Sequence, residues 1–273
     1  MTTKKQNIAV IAVFLCMVFG MTIWTMVTPS REFSERENRA LAQMPEASVE
    51  SCFSGKFEKD FETYLTDQFP MRDGWISAKT AIEKATFKTE SKDIYFADDD
   101  YLIEAHSKSF TAPSANANIG YLKNFMETCV ETYGKDHATA MVVPNAVDIL
   151  RDHLPKYASP YDEEVYLQKV ADAMPEGTWF DSGSVLREHK DIQLYYRTDH
   201  HWTSLGAYYA ANALRSSWDL PEIDKDTLTQ ETVSEDFCGT LYSSSGFFWI
   251  APDEMETLIA APENSSVTRY ETN

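Results

Sequence analysis

The sequence predicts an α/β layered core with a largely parallel sheet, set behind one N-terminal membrane-spanning helix. Three observations carry this. Residues Asn7 to Val27 hold no charge over 21 positions, and about 20 apolar residues at ~1.5 Å rise cross a bilayer core. Further on, short apolar runs of strand character alternate with segments of helical period, the pattern of layered α/β domains. The densest run of reactive side chains, Tyr195 to Ser204, falls where a predicted strand passes into a predicted helix, and that edge of an α/β sheet is where ligand sites form.

Lys4 and Lys5 precede the apolar run and no acidic residue does, so the positive-inside rule keeps residues 1–6 in the cytoplasm. A cleaved signal peptide would have an apolar core of about 7–15 residues and a small-x-small site. Thr25-Met26-Val27-Thr28-Pro29 supplies no such site. The expected organisation is therefore a single-pass anchor over 7–27, a charged stalk over 28–51 and an extracytoplasmic domain over 52–273. The whole chain carries −19, and the two lysines before residue 28 leave −21 for the exported part. Such a balance excludes a nucleic-acid binder, whose partner demands a positive surface, and argues against docking on anionic lipid. Cys16 lies in the anchor, which leaves Cys52, Cys129 and Cys238 outside it. An odd number without CxxC spacing makes neither a disulfide framework nor a zinc site, so three isolated, buried small residues are expected.

The elements follow in order. Gly55 to Phe69 has Phe57, Phe61, Tyr64, Leu65 and Gln68 at helical spacings, and ends at Pro70 because proline disfavours helical geometry before it. A second helix is expected from Asp73 to Phe87. Asp93–Phe96 and Tyr101–Ile103 flank an acidic turn and read as a hairpin. Ala115 to Tyr133 is a helix, and Ala138–Val143 a buried strand ended by Pro144-Asn145. Tyr161–Met174 is helical, Thr178–Phe180 a strand, and Ser182–Glu188 a short helix capped near Asp181. Gln193–Tyr196 is the next strand and Ser204–Trp218 the next helix. From Pro221 onward the regular pattern fades, and the tail Glu263–Asn273 predicts no terminal element.

Three readings share the segment Tyr195–Ser204. In one, Asp199 orients His201 as a general base, because a carboxylate on one imidazole nitrogen leaves the other free to take a proton; alternate residues of an extended loop share a side. In another, Asp199, His200 and His201 bind a metal, against which stands that adjacent histidines of extended chain point apart and that no further cluster completes a shell. In the third, Asp199 or Thr203 caps the following helix and the imidazoles are ordinary surface groups. Asn145 is a candidate oxyanion donor or a turn-forming residue, and Arg197 a candidate for a carboxylate or sugar acid. Phe247, Phe248 and Trp249 suggest either a sugar-stacking platform or core.

Asp199-His200-His201-Trp202 resembles the signature of the DHHW family of exported bacterial proteins. The resemblance extends over Phe33–Arg39, Asp67–Asp73, Val143-Pro144-Asn145 and Phe237–Ser243. That family is similar to the alginate O-acetyltransferases, so the resemblance implies an SGNH-hydrolase-like three-layer core, incomplete here, and acetyl transfer to or from a cell-surface polysaccharide. By position Asp199 matches the orienting acid and His201 the base of a Ser-His-Asp triad, with Trp202 beside them as a substrate contact together with Arg197. A membrane-bound O-acyltransferase is the implied acetyl donor, and no cofactor or metal is assigned. In the relatives the serine follows in an Asp-Ser segment. None occurs after residue 201, so the expectation is a chain that stops before its nucleophile; Asp181-Ser182-Gly183 lies on the wrong side in chain order. The alternative from another class is a non-catalytic envelope protein that binds glycan or scaffolds an assembly.

Overall fold

The computed structural model describes residues 2–260, and the predicted tail at 263–273 lies outside them. The chain divides into two compact units, Met1–Thr86 with Gly246–Phe248, and Phe87–Ser245 with Trp249 onward.

The first unit opens with helix α1 (Thr2–Val27), whose apolar side chains are mostly exposed. Thr22, Thr25 and Thr28 return their hydroxyls to carbonyls four residues back, so these polar groups do not break the apolar surface. Within the segment expected as a charged stalk lies a small hairpin, β1 (Phe33–Ser34) and β2 (Arg39–Ala40). Its charges find partners on helix α3 (Lys56–Asp67), which follows the short α2 (Val49–Phe53), and on α4 (Arg72–Ala85). Arg39 makes a two-pronged bond to Asp67 at 2.9 and 2.6 Å, and Arg72 reaches Glu37 at 2.7 Å. The charge run therefore ties the segment down rather than solvating it. The Arg39 hydrogen bond leads the effects that hold the Asp67 carboxyl at about 2, against burial pushing it up.

In the second unit β3 (Glu90–Ser91), β4 (Ile94–Phe96) and β5 (Leu102–Glu104) make an antiparallel sheet, with the acidic turn where it was expected. Helix α5 (Pro113–Tyr133) starts on a proline, whose missing N–H costs nothing at that position. Strand β6 (Ala140–Met141) pairs in parallel with β7 (Trp179–Phe180). Between them lie α6 (Ala146–Ile149) and α7 (Glu163–Ala173), and α8 (Ser182–Glu188) follows. Asp181 caps α8 by accepting from Gly183 N and Ser184 N.

The fold is mixed α/β, as expected, but β6–β7 is the one parallel pair among the described residues, so the largely parallel sheet is corrected to four small sheets. Gln193–Tyr196 shows why: it joins no sheet. The Leu194 carbonyl accepts Thr203 N at 2.8 Å, Tyr196 N donates to His201 O at 3.2 Å, and Tyr195 bridges Trp202. Its backbone groups are used within its own loop, which satisfies them without a neighbouring strand.

Helix α9 (Ser204–Ser217) is followed by β8 (Leu228–Phe237), α10 (Thr240–Ser245) and β9 (Asp253–Ala260). The long β8–β9 hairpin lies where the regular pattern was expected to fade. Most of β8 is exposed, so no apolar alternation advertises it.

One core cluster joins Tyr95, Ile103, Val147, Leu150, Leu186, Leu194 and Tyr195; a second joins Met126, Ala140, Val170 and Met174. Full burial of a leucine such as Leu186 or Leu194 contributes about 1.5–3 kcal/mol each. All four cysteines are free, and Cys52 is exposed rather than buried, because α2 buries none of its residues.

Candidate active site

The segment 194–203 closes on itself at its base, and α9 sits directly against it. Thr203 caps α9 by accepting from Gly206 N, and its hydroxyl donates back to Gln193 O at 2.9 Å. A Cβ at Gly206 would come 2.7 Å from the Leu194 carbonyl, so only glycine admits this approach of helix to loop. The loop is thus a bent turn, not the extended stretch expected.

Asp199 lies at its tip, buried, with two donors on each oxygen. Oδ1 accepts His201 N at 2.9 Å and His201 Nδ1 at 2.5 Å. Oδ2 accepts Thr240 N at 2.7 Å and Thr240 Oγ1 at 2.9 Å. Burial pushes the carboxyl up, but the bonds from Thr240 and His201 together outweigh it and hold the group at about 2. An ionised carboxylate facing Nδ1 keeps a proton there, so neutral His201 has a bare Nε2. That is the tautomer a general base needs, and the imidazole is exposed, at 68% of its side-chain area.

The hydroxyl of Thr240 has one proton, which goes to Asp199. His200 Nδ1, 2.8 Å from Thr240 Oγ1, must therefore be the donor of that contact. The two histidine rings face each other, with centroids 4.0 Å apart and planes at 36°. This corrects the expectation that adjacent histidines point apart: the chain bends at each residue here, and period-2 geometry does not apply. One ligand-type atom from each of Asp199, His200 and His201 lies within 4.8 Å of the others.

Sequence reasoning did not single out three residues that build this arrangement. A Cβ at Gly239 would overlap the Asp199 side chain, so glycine is what lets the Gly239-Thr240 backbone reach the carboxylate. Thr240 supplies two of the four donors. Asp253, fully buried, holds the loop from the other side. It accepts Arg197 N and Thr198 N at 3.1 and 2.8 Å, Thr198 Oγ1 at 2.7 Å, Gln193 Nε2 at 2.9 Å and Arg197 Nε at 3.2 Å. Thr198 Oγ1 in turn accepts Gly239 N at 3.1 Å, which joins the two supports. The only signal in the sequence was the block Phe237–Ser243, without roles for its members.

The other candidates are placed differently. Arg197 is engaged by Asp253 and by the Pro252 carbonyl. Trp202 packs partly buried on the core cluster of Leu194 and Tyr195. Asn145 donates its backbone N and its Nδ2 to the buried Glu163 carboxylate, at 3.1 and 2.9 Å, and among the described residues nothing bonds it to Asp199 or His201. Ser182 is buried and donates to Val142 O at 3.0 Å. Phe247 and Phe248 lie under Lys84 and Arg36. His200 and Thr240 also line an open cavity with Lys92, Glu104 and Leu241.

Comparison with known proteins agrees with the resemblance drawn from the motifs. No curated protein matches the chain. Among solved structures, a DHHW family protein from Eubacterium siraeum is 27% identical, with a TM-score of 0.38, covering 51% of this chain and 48% of that one. The O-acetyltransferase domain of Pseudomonas putida AlgJ is 22% identical, with a TM-score of 0.43, covering 60% and 63%. Bacillus cereus PatB1 with a sulfonyl adduct is 16% identical, with a TM-score of 0.41, covering 60% and 56%. The chain thus spans about half to five-eighths of the length of these structures. The family model described as SGNH hydrolase-like domain, acetyltransferase AlgX, matches residues 95–268. Those residues are more than half of the chain and contain the Asp199–His201 pair with its Thr240 and Asp253 supports, and the chain belongs to this SGNH hydrolase-like acetyltransferase family.

Proposed function

We propose that the protein is a membrane-anchored, extracytoplasmic member of this family that moves acetyl groups on or off a cell-surface polysaccharide. The observation that carries the chemistry is the ionised, four-donor Asp199 against Nδ1 of His201. Asp199 fixes the tautomer, and Nε2 of His201 takes the proton of a serine hydroxyl as that oxygen attacks the acetyl carbonyl. The donor's acetyl–oxygen bond breaks and His201 gives that proton to the leaving oxygen; His201 then takes a proton from a sugar hydroxyl or water as it attacks the acetyl-serine, and returns it to the serine oxygen. In this reading the nucleophile is a serine, which the test below identifies. The cavity walled by His200, Thr240, Lys92 and Glu104 offers polar groups for sugar hydroxyls. Arg197 and Trp202 flank the pair as substrate contacts, and Asn145 is the oxyanion candidate.

Membrane attachment is supported by α1, whose span from Thr3 to Val27 is long and apolar enough to cross a bilayer and has no buried face. An apolar groove continues from its last turns onto Leu65, Phe69 and Trp75 of the same unit. The acetyl donor in this reading is a membrane-bound O-acyltransferase.

The test is turnover of an aryl acetyl ester together with mass tagging by a sulfonyl fluoride. His201→Ala should lower turnover by about three or more orders of magnitude and abolish the tag, whose position identifies the serine. Unchanged turnover in His201→Ala would refute the assignment, and a parent protein with neither turnover nor tag would favour a non-catalytic glycan-binding role.

A further inference from the structure

The chain is caught almost as soon as it leaves α1. That helix ends at Val27, and four residues on, the backbone of Arg31 is held by the side chain of Gln68. Arg31 N donates to Oε1 and Nε2 donates to Arg31 O, both at 2.8 Å. Four residues of extended chain reach at most about 14 Å, so Gln68, at the end of α3, is kept next to the last turn of α1. Ser30 adds a hydroxyl contact to Tyr64 of α3 at 3.0 Å. The apolar side chains at this place are uncovered. Met71 and Trp75 are 65% and 57% exposed, Leu65 and Phe69 are exposed beside them, and Ile82 continues the Trp75 side of α4 two turns on. Leu65, Phe69 and Trp75 share one groove with Met21 and Met26 of α1.

We infer that this face of α3 and α4 is a second membrane contact, lying on the extracytoplasmic leaflet with lipid acyl chains filling the groove between it and α1. The inference rests on the reading of α1 as a membrane anchor and not on the acetyl chemistry. With α1 across the bilayer, Met21 to Val27 span only ~9 Å of its exit end. Whatever covers a groove lined by those residues therefore sits at the boundary of headgroup and acyl chain, where amphipathic helices sink their apolar sides by about 5–10 Å. Tyr64 and Trp75 suit that depth, since each ring has an apolar body and a polar tip. The Trp75 indole N–H already donates to Pro70 O at 3.2 Å, so the ring enters lipid with its polar group satisfied. Charge agrees. Residues 28–86 carry eight basic and eleven acidic side chains, a net −3, against −18 for the residues after them. The acidic excess that argues against anionic lipid thus belongs to the later part of the chain, and the contact is one of apolar side chains with neutral lipid.

The test uses the full chain in phosphatidylcholine nanodiscs, with photoreactive benzoylphenylalanine replacing one residue at a time and mass spectrometry reading the adducts. Lipid adducts are expected from Leu65, Met71 and Trp75, and from Val18 inside the anchor. None is expected from Phe125 of α5, which is as exposed as Met71, at 64%. Thermal melts identify any variant that fails to fold, and Met71, whose side chain packs least, stands in for Leu65 or Trp75 in that case. Adducts from Val18 without any from the three positions would overturn the second contact and leave the anchor standing. Crosslinks from Leu65 to another protein chain would overturn it in favour of a second copy on this face. Lipid adducts from Phe125 as strong as those from Met71 would overturn it too, since the label would then report exposure alone. No lipid adduct from Val18 would remove the anchor, and the second contact with it.

Discussion

At the scale of single residues, the site depends on a carboxylate that is out of water and still charged. Four donors make that tolerable, and two of them belong to Thr240, 41 residues further along the chain. Thr240→Val keeps the shape and one N–H but removes the hydroxyl bond. The loss expected in ester turnover is about tenfold, with a thermal midpoint lowered by the equivalent of about 1–2 kcal/mol. Gly239→Ala is more severe, since the new methyl must displace Asp199. Its turnover should fall by about a hundredfold or more, as a displacement of about 1 Å in a catalytic group does. A Gly239→Ala enzyme with the parent rate would show that the close approach is unimportant. The Asp199–His201 pair was legible because its partners are two residues apart. The reason was different from the one expected: the carboxylate folds onto the backbone N–H two residues on, an Asx-type turn, rather than sharing a side of an extended strand. Gly239, Thr240 and Asp253 were not legible, because nothing local marks a glycine as facing a distant carboxylate or an aspartate as accepting from a distant loop.

At the scale of elements, the helices α3, α4, α5, α7, α8 and α9 were read within a few residues from apolar spacing and boundary residues, Pro70 beyond the end of α3 and the caps Asp181 and Thr203 at the starts of α8 and α9. The short α2, α6 and α10 were not read. Strands fared worse. The run Gln193–Tyr196 has strand composition and serves as the side of a loop, while β8, ten residues long, faces solvent and shows no pattern. Between β6 and α7 sits a test of electrostatics. Burial first, with the neighbouring Asp148 charge adding to it and the Asn145 donors and Arg151 opposing, pushes the Glu163 carboxyl up to about 7. A carboxyl raised in the folded state stabilises the fold below its ordinary value of 4.5, and that contribution is lost as pH rises through about 7. Glu163→Gln should therefore gain on the parent across this window, by up to about 3 kcal/mol. Urea midpoints of both proteins at pH 4.5 and pH 8 measure it; parallel curves would refute the burial effect.

At the scale of the whole molecule, the opposite sign applies to the first unit. The Asp67 carboxyl is depressed to about 2 by Arg39, so its contribution is present above the ordinary 3.8 and is lost as pH falls through about 2. Asp67→Asn should cost about 1–3 kcal/mol at neutral pH, discounted because Arg39 is partly exposed, and the loss should vanish in strong acid. The anchor has its own check: the protein should stay with membranes after alkaline carbonate extraction and keep Met1 by intact mass. A mature N-terminus near residue 28 would replace the anchor with a signal sequence. The acidic balance, −21 beyond residue 27, was readable at once, but how that charge is used was not; the segment Arg31–Arg39 forms specific pairs with α3 and α4.

Asp253 gives the four-letter signature a condition of its own. It stands 55 residues beyond Thr198 and gathers five donors from the stretch Gln193–Thr198, immediately before the signature. A homologue or engineered fragment that keeps Asp-His-His-Trp but loses this single carboxylate retains the spelling of the site without the frame that shapes it. Sorting members of the family by the company the signature keeps, a glycine-threonine step and a distant buried aspartate, should separate working sites from inherited letters.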